Sequence, residues 1–213
     1  MHLSDGILTE STTGTIVLAA TSGLAFLGAA VGLRRMDFEK VPRAAVVSAA
    51  FFVASLIHIK VGITSVHLIL NGMVGLILGW VAIPAFIIAL FLQAIFFGHG
   101  GITTLGINAF NFSLSALICF YLFKARIRKS KSRTVTFVFG FLAGSLSLVL
   151  AAGLILAELL LIGEEFEFLA GAFFVAHLPV AVIEGIVTGF AITFLKRVKP
   201  ELIEEPRLLN RSS

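Results

Sequence analysis

The sequence predicts an all-α integral membrane protein with seven transmembrane helices, the N-terminus outside and the C-terminus cytoplasmic. Three observations carry this. Hydrophobic residues make up 58% of the chain and charged residues only 13%; mean hydropathy is +1.05; and the charges fall in clusters that separate long uncharged stretches. Soluble domains carry about a quarter charged residues, so a soluble enzyme or nucleic-acid-binding module is excluded, and the basic pI is read as a topology signal. No nucleic-acid partner is implied; membrane lipid is.

With about 20 apolar residues per crossing as the ruler, residues 11–33 make span one and 44–59 a shorter span two. Residues 61–123 hold no Asp, Glu, Lys or Arg and are long enough for spans three, four and five, punctuated by Pro84 and Gly98-His99-Gly100-Gly101. Span six is 134–157, and span seven is 169–195, interrupted only by Glu184. Every Lys and Arg but Lys60 lies between spans one and two, between five and six, or after seven. In a seven-span chain these segments share one face, which the positive-inside rule makes cytoplasmic. The whole chain then forms a single domain: an external N-terminal segment (1–10), a seven-helix bundle (11–195) and a cytoplasmic tail (196–213). The first ten residues include Asp5 and Glu10 but no basic region or small-residue cleavage site, so span one is expected to be retained. The lone cysteine, Cys119, falls mid-span and supports neither a disulfide framework nor a thiolate cluster.

The N-terminus carries the most specific chemistry. Methionine removal needs a small second residue, so Met1 is expected to persist before His2. The α-amine, the deprotonated amide nitrogen of His2 and its imidazole Nδ1 can then close two chelate rings on one divalent ion. Three coplanar nitrogens suit Ni(II) or Cu(II), with Co(II) also acceptable, and leave one position for a ligand from elsewhere.

All five histidines, His2, His58, His67, His99 and His177, fall in or near the external half of this topology. Histidine in a bundle faces a partner or a cavity rather than lipid. Thr64 and Ser65 are good cap residues for span three and would place His67 in its first turn; helical spacing then aligns His67 with Asn71, Gly75 and Gly79. Gly75-x-x-x-Gly79 is a close-packing motif. His67 reads as a ligand or as a packing histidine, and His58 as an interfacial residue beside Lys60. His99 sits on a glycine-rich turn that can gate, bind or face water. A second polar stripe, Asn108, Asn111 and Ser115, serves as interhelical glue or as support for a site. His177 and Glu184 share one face of span seven; an intramembrane carboxylate marks a functional site or a hydrogen bond to a neighbouring helix.

Three blocks now carry a resemblance: Met1-His2-Leu3-Ser4-Asp5-Gly6-Ile7-Leu8; Thr64-Ser65-Val66-His67-Leu68-Ile69-Leu70-Asn71-Gly72 running on to Gly79-Trp80; and Leu92-Gln93-Ala94 through Phe97-Gly98-His99-Gly100-Gly101 to Asn108. With His177-Leu178-Pro179 and Glu184-Gly185, they make the chain resemble the substrate-capture components of nickel and cobalt energy-coupling-factor transporters, the CbiM/NikM family, most closely its nickel branch. The resemblance implies seven helices with the N-terminus threaded inward. It also implies a metal site of the Met1 amine, the His2 amide nitrogen and imidazole, and the His67 imidazole, holding Ni(II) or Co(II) as transported substrate, with no cofactor. Asp5 is the candidate for orienting an imidazole, with Asn71, His99, Asn108 and Asn111 as supporting or gating candidates. Implied partners are a transmembrane coupling subunit, two ATPase subunits and, in some systems, a small accessory membrane subunit. Ala45, Ala49, Ala50 and Ala54 on span two are candidates for docking the coupling subunit through close helix approach.

The chain lacks a phosphate-binding loop and so is not expected to hydrolyse ATP itself. It also lacks the G-x-S-G nucleophile of an intramembrane protease. The competing reading is an ion-coupled secondary carrier using Glu184 and His177 as a proton relay. Internal repeats would favour it, and the sequence has none.

Overall fold

The computed structural model describes residues 3, 8–9, 11–38, 40–61 and 64–203, with the backbone alone at 58–61 and 64–67. In chain order the described elements are α1 (Thr12–Arg34), α2 (Lys40–Ala54), a hairpin of β1 (His58–Val61) and β2 (Thr64–His67), α3 (Asn71–Leu78), a 3-10 turn (Gly79–Val81), α4 (Ala82–Phe97), α5 (Leu105–Lys129), α6 (Arg133–Ile162) and α7 (Glu167–Val198). Short 3-10 turns at Glu164–Phe166 and Pro200–Leu202 flank α7. Five segments among the described residues are long and apolar enough to cross a membrane: Thr12–Arg34, Asn71–Phe97, Leu105–Lys129, Arg133–Ile162 and Glu164–Val198.

Local chemistry explains the helix ends. Ser11 Oγ accepts from the Gly14 N–H at 2.9 Å and starts α1. Ser132 caps α6 in the same way through Val135. At the basic end of the bundle, Lys196 Nζ donates to the carbonyls of Ile127 and Ser130, and to that of Arg128 at 3.3 Å, closing the C-terminus of α5.

The largest interface joins α6 to α7 and is built on small residues. A Cβ on Gly140 would lie 3.0 Å from Gly189 Cα, and one on Gly144 would lie 2.6 Å from Glu184 O. Backbones that approach this closely gain dispersion contacts that larger side chains would block. Ser145 Oγ adds a hydrogen bond to Ala181 O at 2.8 Å.

Between α2 and α4 the structure departs from the sequence expectation. Residues 44–59 are helical only as far as Ala54, and His58 and Ile59 belong to β1. Thr64 and Ser65 do not cap a helix; they begin β2, which pairs antiparallel with β1 in a register that sets His58 opposite His67. The β-branched run Ile59, Val61, Thr64 and Val66 favours this strand conformation. His67 therefore does not share a helical stripe with Asn71 and Gly75. Gly79, the fourth residue of that stripe, sits in the 3-10 turn at φ +55°. Among the described residues the bundle is thus all-helical apart from this hairpin.

α3 has only eight residues. Asn71 bonds Ser115, Gly75 abuts Ala116 and Gly79 abuts Phe120, so α3 runs in the same sense as α5. After the reversal at Gly79, Trp80 meets Tyr121 and Phe86 meets Phe112, so α4 runs against α5. The apolar stretch 71–97 is therefore two helices folded back on each other. α3 begins beside the middle of α5, deep within the bundle.

Candidate metal site

A helix that begins inside an apolar bundle presents backbone N–H groups that water cannot reach. The residue at the N-cap of α3 offers no side-chain acceptor: Leu70 adopts a left-handed conformation (φ 57°, ψ 24°) without a side-chain hydrogen bond. The partner comes from the opposite side of the bundle. The Glu184 carboxylate on α7, fully buried, accepts from the N–H of Ile69, and from that of Leu70 at 2.8 and 3.0 Å. It acts as a cap supplied through tertiary structure, at the positive end of a helix. Leu70 is the only non-glycine residue with positive φ among those described, a conformation this double anchor maintains. Ile69 is two residues beyond His67, so Glu184 fixes the chain just where the hairpin ends.

Asn71 secures the first turn of α3. Its Nδ2 donates to Ser115 Oγ at 2.9 Å and to Ser147 O at 3.2 Å, while its Oδ1 accepts from Ser147 Oγ at 2.9 Å and from the Gly72 N–H at 3.1 Å. With both ends of its amide engaged, Asn71 ties α3 to α5 and α6 and acts as support. Gly72 is needed there because a Cβ would lie 2.4 Å from Ala143 O.

The N-terminal segment has an anchor of its own. Leu3, buried to 3% exposure, donates its N–H to Asn108 Oδ1 at 2.9 Å. Its carbonyl accepts from Asn108 Nδ2 at 3.1 Å and Thr104 Oγ1 at 2.9 Å. The chain one residue beyond His2 is thus clamped to the start of α5 through backbone groups. Further along, Leu8 is fully buried, and Gly14 leaves room for its carbonyl, which a Cβ would approach to 2.2 Å.

Met1, His2 and Asp5 lie outside the described residues, and of His67 and His58 only the backbone is described. Among the described residues no group of three or more His, Cys, Asp and Glu side chains is placed to hold a metal. Asn111 Nδ2 donates to Glu158 Oε2 at 2.8 Å within the bundle. His99 lies on the turn after Gly98, itself at φ +65°, and packs 5.9 Å from the Phe97 ring. His177 packs against Phe173 at 4.2 Å and bonds Phe173 O through Nδ1 at 2.7 Å; its Nε2 is buried and has no hydrogen-bond partner among the described residues. Gln93, also fully buried, has both amide atoms in the same condition. Of the alanines on α2, Ala45 and Ala49 line an apolar cleft beside α4 and Ala50 is exposed. Ala54 is buried.

Sequence reasoning missed Thr104 and Glu158; for Glu184 it held open a hydrogen bond to a neighbouring helix without identifying the start of α3 as its partner. Glu158 stood just beyond the assumed end of span six, and Thr104 was not singled out.

Residues 2–202 match the family described as the cobalt uptake substrate-specific transmembrane region. The chain belongs to this family. A Haemophilus influenzae protein whose description assigns it to metal transport, without specifying the metal, is 42% identical over 95% of this chain and 97% of its own length. The cobalt transport protein CbiM of Sorangium cellulosum is 28% identical over 96% of this chain and 95% of its own. A crystal structure of a transition metal transporter superposes with a TM-score of 0.71 at 26% identity, covering 93% of each chain. As a member of the family, the chain is a multi-pass protein of the cell membrane and a transmembrane component of cobalt or nickel uptake, of the CbiM/NikM type.

Proposed function

We propose that the chain is the substrate-binding component of an energy-coupling-factor importer, capturing Ni(II), or Co(II) in its place, from outside. In this reading the chain crosses the membrane seven times as one domain, with β2 and α3 together making the third crossing, the N-terminus outside and the C-terminal tail in the cytoplasm. The ligands are the Met1 amine, the His2 amide nitrogen and imidazole, and the His67 imidazole. Four nitrogens without a carboxylate favour a square-planar d-block ion over Mg(II). Asp5 orients an imidazole, and Asn71, Asn108, Asn111 and His99 support or gate the site. A relative in Rhodobacter capsulatus, 31% identical over 97% of this chain and 65% of its own length, is a fused nickel transport protein. A membrane coupling subunit, docking on α2 through Ala45, Ala49, Ala50 and Ala54, and two ATPase subunits would supply the energy, with a small accessory subunit where the system has one.

The observation that supports this reading most is the pair of independent backbone anchors. Asn108 and Thr104 hold Leu3, one residue after His2; Glu184 holds Ile69, two residues after His67. Both bonds fall on backbone groups close in sequence to the proposed ligands, an arrangement that favours a preorganised site. The same geometry weakens the carrier reading, because Glu184 is engaged as a cap. What that reading retains is His177 Nε2, which has no partner among the described residues.

Isothermal titration of nickel into the purified His67→Ala variant is the test. Loss of tight binding with an unchanged melting profile is expected, and wild-type affinity would overturn the ligand assignment. Uptake that proceeds without ATPase subunits but collapses with the proton gradient would support the carrier.

A further inference from the structure

At the basic end of the bundle, a cavity of about 370 Å³ opens between the C-terminus of α1, the start of α2, the 3-10 turn at Gly79–Val81 and the last turns of α5. Four cations line it, Arg35, Lys40, Arg43 and Lys124, together with Trp80 and Tyr121, and none of the described lining residues is acidic. Lys40 has a carboxylate partner, Asp37, at 2.7 Å. Lys124 Nζ donates to Leu76 O at 2.6 Å, at the C-terminal end of α3. The two arginines have none among the described residues: Arg35 lies 4.8 Å over the Trp80 ring, and Arg43 donates to the backbone carbonyl of Glu201 at 3.0 Å. Trp80 is fixed in turn by Nε1 donating to Tyr121 OH at 2.7 Å. Cations gathered around one cavity repel one another, and the positive-inside rule requires only that they lie on this face, not that they converge.

A second feature identifies the occupant. The Trp80 ring is also a wall of an apolar groove of about 340 Å³ that runs along α1, α4 and α5 past Leu24, Leu27, Val31, Ile83 and Leu117. Leu24 and Leu27 are 54% and 68% exposed and lie on the outer surface of a membrane-spanning helix. A cationic cavity and an apolar groove that meet at one tryptophan match the two halves of a phospholipid, with Trp80 and Tyr121 at the depth where aromatic side chains favour the headgroup boundary. A free anion would use the cavity and leave the groove without a role.

We propose that this composite site binds one anionic phospholipid, its phosphate held by Arg35 and Arg43 and an acyl chain lying in the groove beside Trp80. Arginine suits the phosphate because its planar fork can donate two hydrogen bonds to one group. In the seven-crossing topology the lipid belongs to the cytoplasmic leaflet. The site is remote from the hairpin and does not depend on the metal assignment.

Native mass spectrometry of the full chain released from micelles containing equal amounts of phosphatidylglycerol and phosphatidylcholine tests this. The wild type is expected to retain one phosphatidylglycerol in clear preference. Arg35→Gln with Arg43→Gln should lower that retention by about fivefold per cation removed, and Leu24→Trp, which fills the groove at a lipid-exposed position, should lower it with all the cations intact. Thermal unfolding of each variant confirms that it is folded, and if the arginine pair fails to fold, Leu24→Trp with a phosphate competition series decides. Equal retention of the two lipids, or unchanged retention in both variants, would overturn the proposal. So would displacement of the lipid by millimolar inorganic phosphate, which would reassign the cavity to a free anion.

Discussion

The α6–α7 pair and the hairpin–α3 segment sit side by side in the same bundle and are held by opposite means. α6 and α7 are long and meet through glycines, Gly140 on Gly189 and Gly144 on the backbone of Glu184, with contact spread over many turns. α3 has eight residues, too few for spread-out packing to fix it, and it depends on a few polar bonds brought from distant helices: Glu184 at its start, Asn71 in its first turn and Lys124 at its end. Distributed packing makes a scaffold that no single side chain controls. Concentrated polar anchoring places a short segment accurately but makes it depend on each anchor, because a buried donor that loses its acceptor bears the full cost of desolvation.

Removing the tertiary cap breaks this contrast most severely. Glu184→Ala leaves the Ile69 and Leu70 N–H groups buried and unpartnered, at about 1–3 kcal/mol each, and releases the chain next to His67. A lowered melting temperature in detergent together with loss of nickel binding by calorimetry is expected, with Glu184→Gln falling between because it keeps one acceptor oxygen. Wild-type melting and affinity in Glu184→Ala would show that α3 is held by packing after all.

On the scaffold side, Gly140→Leu sets a side chain where a Cβ already meets Gly189 Cα at 3.0 Å. Overpacking of this kind costs about 1–3 kcal/mol. Here the melting temperature should fall while the nickel affinity of the folded protein stays near wild type. A matching fall in affinity would mean that the two regions are coupled rather than built independently.

How much of this was readable beforehand follows the same division. Helices α1, α5, α6 and α7 announce themselves through apolar runs with cations at one end, and the carboxylate at Glu184 stands out in an apolar span. What Glu184 caps does not, since its partners lie 114 and 115 positions away in sequence. The hairpin stayed hidden because a ruler based on charge-free length treats residues 61–123 as uniform helix, although Ile59, Val61, Thr64 and Val66 were its strand signal. At the N-terminus, coordination chemistry drew attention to Met1 and His2. The Leu3 clamp was invisible because it uses backbone groups, and of its two side chains Asn108 drew attention only as a polar residue and Thr104 not at all.

The clamp gives a smaller effect than the cap. Asn108→Ala removes the acceptor of the Leu3 N–H and one of two donors to its carbonyl, while Thr104 still holds the other. A net loss near one ordinary hydrogen bond, about 1–1.5 kcal/mol, should appear as roughly tenfold weaker metal binding. Thermal stability should fall less than in Glu184→Ala, because one buried backbone N–H rather than two loses its acceptor. Asn108→Asp keeps the acceptor and should recover part of the affinity. A large drop in melting temperature without a change in affinity would recast Leu3 as a structural plug.

The smallest effect is expected from the Lys40–Asp37 pair at the junction of α1 and α2. The hydrogen bond from the Lys40 ammonium, reinforced by its charge, holds the Asp37 carboxyl below its ordinary value. A depressed carboxylate contributes stability that is present above its unfolded value and lost as pH falls through the folded one. The pair is nevertheless open to solvent, with the two side chains 45% and 59% exposed, and water and salt screen such pairs almost completely. Asp37→Asn should therefore melt with the wild type at neutral pH, and the two curves should stay together on acidification through the carboxylate range. Unfolding scans at matched pH and ionic strength measure this. If Asp37→Asn lost as much stability as Asn108→Ala, exposure would not be what separates weak contacts from strong ones here, and the emphasis on buried, unreplaceable acceptors at Glu184 and Asn108 would have to be abandoned.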